Sequence, residues 1–137
     1  MIFVFLAYDE LFQVHESFTV DLRERFSLGG LLYFSWIIPY GIGTIVIGLL
    51  FFRFLVSLPG RSARLFIVSG VIYMTGAVGL EMLGGLICSS GNCMSVAYTM
   101  VTTVEELLEL LGIAIFIYAL LSYTAANKCS FRVVIRE

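Results

Sequence analysis

Residues 28–58 read LGGLLYFSWIIPYGIGTIVIGLLFFRFLVSL, a run in which Arg53 is the one charged residue. A helix needs about 20 consecutive apolar residues to cross the hydrocarbon of a bilayer, and this run exceeds that length. Pro39 predicts a kink within it, and Tyr33 and Trp36 have the character of interface anchors near one end. The run reads as a membrane span.

The rest of the chain has the same character. Of its 137 residues 60% are hydrophobic and 13% are charged, whereas soluble domains carry roughly a quarter charged residues. Mean hydropathy is +1.01. These values imply an integral membrane protein with no room for a separate soluble catalytic domain. A net charge of −2 with eight basic residues argues against a nucleic-acid surface, which needs a clustered positive face. One histidine and three cysteines do not make a His-rich zinc site or a cysteine set for zinc or iron–sulfur clusters. The chain also lacks a nucleophile elbow, a phosphate-cradling glycine loop and a dinucleotide fingerprint.

Outward from the central run, Pro59-Gly60 breaks the chain and a second span is expected over residues 63–88. Ser89-Ser90-Gly91-Asn92 forms a polar turn, and a third span is expected over residues 96–126. Residues 1–16 read as a short first helix and 17–27 as an interfacial segment on the outward side. The start of the chain shows neither a basic flank nor a small-residue cleavage site, so a signal peptide is not expected. The predicted fold is all-α, a small bundle of three to four transmembrane helices. Basic residues cluster at Arg53, Arg61 and Arg64 and in the tail, residues 127–137, at Lys128, Arg132 and Arg136. The positive-inside rule puts both groups in the cytoplasm and the Cys88–Cys93 turn outside.

Seven of the ten carboxylates fall in three places: Asp9, Glu10 and Glu16; Glu81; and Glu105, Glu106 and Glu109. In that orientation all three approach the outward half of the membrane. Between Arg64 and Lys128 the chain has no lysine or arginine to pair with them. An Asp near the centre of a membrane helix costs about 2.5–3.5 kcal/mol, and crowded carboxylates also repel. A metal ion, a proton, water or a partner protein must offset that cost.

The spacing permits convergence. Asp9 and Glu16 are seven apart, Glu105 and Glu109 four apart, and both spacings place the pair on one stripe of a helix. A small-residue stripe at Gly70, Ala77, Gly84 and Cys88 lets helices approach beside Glu81. Several carboxylates plus one imidazole is the ligand type of di-metal sites that favour iron or manganese. Asp9, Glu10, His15, Glu16, Glu81, Glu105, Glu106 and Glu109 are the candidate ligands, although the usual Glu-x-x-His spacing is absent. The plainer alternatives are a solvated acidic rim for the outer residues and, for His15, a hydrogen bond to a neighbouring carboxylate. Cys88 and Cys93 are expected to bridge in an oxidising compartment.

At these positions the chain resembles uncharacterised bacterial multi-span membrane proteins with an Asp-Glu-x4-His-Glu segment, a later lone Glu and a Glu-Glu-x-x-Glu helix. The matching residues are Asp9-Glu10 with His15-Glu16, Glu81, and Glu105-Glu106 with Glu109. The resemblance implies a bacterial inner membrane location and further hydrophobic sequence ahead of Asp9, so that the chain reads as shortened at its N-terminus. It implies no activity. Three functions are therefore expected to compete. The first is an outward acidic cluster that binds cations or a metal pair, for redox or hydrolytic chemistry. The second is a non-enzymatic accessory subunit of a larger energy-converting or photosynthetic membrane complex. The third is a component of an oligomeric channel or transporter.

Overall fold

A computed structural model describes residues 2–12 and 14–126. The expected tail, with Lys128, Cys129, Arg132 and Arg136, lies outside the described residues. Among those described the chain is all-helical, with no strand. Its elements are α1 (Ile2–Phe12), α2 (Val14–Phe26), a 3-10 turn (Gly30–Leu32), α3 (Ile37–Ser57), α4 (Gly60–Met74), a π-helical turn (Thr75–Leu80), α5 (Glu81–Ser89) and α6 (Val96–Ala126). Among the described residues two helices are long and apolar enough to cross a membrane: α3, and the continuous helix Gly60–Ser89 formed by α4, the π turn and α5.

The apolar run of residues 28–58 is not helical throughout. Ser27 and Gly30 have φ of 50° and 61°, and Gly29 is extended. The left-handed conformation costs Gly30 nothing because it has no Cβ. The chain bends here and α3 begins only at Ile37. Pro39 falls in the first turn of α3, where an N–H would have no intrahelical acceptor in any case. It therefore serves the start of the helix and is not a mid-span kink.

The most extensive helix packing joins α4 to α6. It depends on two glycines. A Cβ on Gly112 would lie 2.8 Å from Cβ of Tyr73 and 3.0 Å from the carbonyl oxygen of Ser69. A Cβ on Gly76 would lie 2.9 Å from the carbonyl oxygen of Glu105. Backbone meets side chain or backbone directly at both crossings, as small residues allow.

Burial along the Gly60–Ser89 helix explains the π turn. Ser62, Ser69 and Gly76 are buried at intervals of seven. The next buried position is Gly84, whereas Leu83, seven beyond Gly76, is 45% exposed. A π turn closes i to i+5 bonds and takes up one residue more than an α turn, which shifts every later side chain around the axis. Of the stripe read from the sequence at Gly70, Ala77, Gly84 and Cys88, the last two are buried; earlier in the helix the buried positions are Ser69 and Gly76, and Gly70 has open space around it.

Few apolar side chains are buried: among the described residues Ile37, Leu58, Cys88 and Ala119. Ile37 is the buried residue of α3, while Leu49 and Leu50 are 70% and 73% exposed. A disulfide joins Cys88 at the end of α5 to Cys93 in the turn before α6.

Candidate functional site

Asp9 of α1 is hydrogen-bonded to His15 of α2. Its Oδ1 accepts the backbone N–H of His15 at 3.0 Å, and its Oδ2 lies 2.9 Å from Nδ1 of the same residue. A carboxylate that takes an N–H from the first turn of a helix supplies the acceptor which the helix start lacks. Tyr40, in the first turn of α3, donates its hydroxyl to Asp9 Oδ1 at 2.6 Å. One carboxylate, 5% exposed, thus ties together α1, α2 and α3. With the ring proton on Nδ1, His15 donates to Oδ2 and Nε2 is left as the free ring nitrogen.

The His15 ring lies against Trp36, with centroids 4.8 Å apart, and Trp36 meets Tyr40 edge-on at 5.3 Å. The Trp36 indole Nε1–H donates to Glu81 Oε1 at 3.1 Å. Trp36 is therefore the bridge between the Asp9–His15–Tyr40 group and the acidic residues of α5 and α6.

Glu81 is the first residue of α5, directly after the π turn. The turn places it on the face that carries Gly84, Gly85 and Cys88, three, four and seven positions on. Its carboxyl is near enough to that of Glu105 for the two to interact electrostatically. Glu109, one turn further along α6, runs past Gly76, where a Cβ would come 3.2 Å from its Cγ. Two carboxyls at that range favour a shared proton or a cation between them, since two bare carboxylates repel.

Of the eight residues singled out in the sequence, the structure pairs Asp9 with His15, brings Glu81 near Glu105, and sets Glu109 alongside. Glu106 is exposed. Glu10 and Glu16 belong to α1 and α2, and their side chains lie outside the described residues. The expected common stripe of Asp9 and Glu16 involves a side chain, that of Glu16, outside the described residues. Among the described residues no group of three or more His, Cys, Asp or Glu side chains is arranged to hold a metal ion. Trp36 and Tyr40 were not expected in the site. Their four-residue spacing, with one face shared by an indole N–H and a phenol, is the signal that carried them.

The family model for a domain of unknown function (DUF8692) matches residues 1–124, and the chain belongs to that family. No curated protein and no solved structure matches the chain.

Proposed function

We propose that this chain is a small helical membrane protein whose interhelical acidic cluster takes up a cation, with Glu81 and Glu105 as the central ligands and Glu109 beside them. The observation that carries this reading is the close crossing at Gly76, which brings Glu105 and Glu109 of α6 against the helix that carries Glu81, in a stretch, Arg64 to Lys128, without a basic residue. That stretch itself supplies no positive charge to balance them. A metal pair of iron or manganese would draw further on Asp9 and His15, whose Nε2 suits a metal once Nδ1 is held by a carboxylate. Trp36 stands between the two groups, so a pair would require that ring to yield.

Insertion in a bilayer is supported by the exposed apolar surface of α3, which in water would be a large unsatisfied patch. Counting α6 as a third span puts Arg53, Arg61 and Arg64 on the cytoplasmic side. The Cys88–Cys93 disulfide then faces the outside, the compartment in which such bonds persist. The sparse burial of α3 also favours a second reading, an accessory subunit of a larger membrane complex that covers this helix.

Elemental analysis of the purified protein tests the cation site. Stoichiometric metal in the native protein, lost in both Glu81→Gln and Glu105→Gln, is the expected result. A metal-free native protein that takes up no added iron, manganese, zinc or calcium, and purifies in fixed ratio with other subunits, overturns it in favour of the accessory role.

A further inference from the structure

A groove of about 470 Å³ runs along the first turns of α6, lined by Met94, Val96, Thr99, Met100, Thr103 and Val104. Its depth in a bilayer follows from the other end of the helix. Ser122 and Ala126 border the start of α4 together with Arg61, and arginines mark a membrane interface. Counted back from Ala126, the hydrocarbon takes up about 20 residues of α6 and ends near Leu107. Met94, Val96 and Met100 lie beyond it, yet Met94 is fully exposed and Val96 and Met100 are 76% and 66% exposed. An apolar surface outside the hydrocarbon marks a place where protein docks.

Charge complementarity identifies what docks there. Glu106 is exposed three residues on from Thr103, and side chains lean toward the N-terminus of their helix, so its carboxyl reaches toward the groove. Arg25, in the last turn of α2, is exposed as well, and beside it Phe26 is 67% exposed. Among the described residues neither Glu106 nor Arg25 has an ion-pair partner. Both features lie at one level of the molecule. Tyr33, whose ring carries the Arg23 guanidinium at 4.5 Å, packs against Gly85, and Tyr98 of α6 packs against the adjacent Gly84. The end of α2 is thus level with the middle of the groove. Copies of a membrane protein are related by rotation about the membrane normal, so groups at the same depth are the ones that meet between copies.

We propose that the groove is occupied by a second copy of this chain, with Phe26 of one protomer against Met94, Val96 and Met100 of its partner and Arg25 paired with Glu106. Methionine side chains adapt to an aromatic ring and gain from sulfur–aromatic contact. The arginine–carboxylate pair sets the register of the contact. This contact uses neither Glu81 nor Glu105. It rests on the placement of α6 in a bilayer and not on the cation site.

Stepwise photobleaching tests the proposal, with the full chain fluorescently tagged at its C-terminus and reconstituted in liposomes at graded protein-to-lipid ratios. Complexes of two or more copies are expected for the native protein. Arg25→Glu and Glu106→Arg should each raise the protein density needed for association about tenfold, and the double reversal should restore the native value. Met100→Asp, which puts a charge in the groove, should act like a single reversal. Trp36 emission and an intact Cys88–Cys93 bridge confirm that each variant is folded, and resistance to alkaline extraction from the liposomes reports insertion separately. Single copies at every density, the outcome if lipid fills the groove, overturn the proposal. So do complexes that ignore both single reversals or that the double reversal fails to restore. A chain stripped by alkali overturns the bilayer placement along with it.

Discussion

The indole Nε1 of Trp36 donates to Oε1 of Glu81 at 3.1 Å, across 45 positions of sequence. This bond connects the start of α3 to the start of α5 and brings the only tryptophan of the chain against its central carboxylate. Emission from Trp36 is therefore a direct reporter of the site. A cation that binds at Glu81 should shift that emission in the native protein and leave the Glu81→Gln variant unchanged. An equal response in both forms rules out Glu81 as a ligand.

Trp36→Phe keeps a ring beside His15 and Tyr40 but removes the donor. It is expected to lower stability by about 1–2 kcal/mol, the cost of leaving a half-buried carboxyl without that partner. Glu81→Gln retains an acceptor for the indole and should cost less. Denaturant unfolding of the two single variants and the double variant gives the coupling; a value of zero means that the bond adds nothing to stability.

Asp9→Asn replaces an acceptor that serves three donors by an amide that must turn its own N–H toward one of them. A loss of about 2–3 kcal/mol is expected, against about 1 kcal/mol for Tyr40→Phe, which deletes one donor. Thermal melting of the purified protein orders the two; the reverse order contradicts the role given to Asp9.

Gly76→Ala and Gly112→Ala each put a methyl within 3 Å of backbone or side-chain atoms across the α4–α6 contact. Each is expected to destabilise by about 1–3 kcal/mol through overpacking. Gly48→Ala and Gly70→Ala, where a Cβ meets nothing within 4 Å, should be neutral or slightly stabilising. The comparison is read from melting temperatures of the four variants.

Deleting Gly79 removes the extra residue of the π turn. The α-helix then continues through Thr75–Leu80 and rotates everything after it by about 100°. Glu81 should leave Trp36, which shows as altered Trp36 emission and loss of any cation response. Unchanged emission after the deletion means that the π turn does not position Glu81.

Much of the architecture is legible in composition and in the apolar runs, because helical segments of this hydrophobicity need no tertiary partner to be recognised. The pairing of His15 with a carboxylate follows from its acidic neighbours. Three things are not legible. The hold of Asp9 on both His15 and Tyr40 depends on where three helices meet, which spacing along the chain does not give. The late start of α3 depends on left-handed residues at Ser27 and Gly30 within an apolar run. The π turn falls on Thr75–Leu80, a stretch whose residue types suit an α-helix equally well.

The sequence by itself determined an all-helical chain with long apolar runs, and a set of carboxylates with no basic residue between Arg64 and Lys128. Both follow from residue type and run length. Tertiary structure alone decided which carboxylates meet. A single inserted residue turns Glu81 toward Trp36 and Glu105, and the missing side chain of Gly76 lets Glu109 pass beside them. Contacts of this kind depend on rotation about a helix axis and on the distance between two backbones, and neither is encoded in the spacing along one chain.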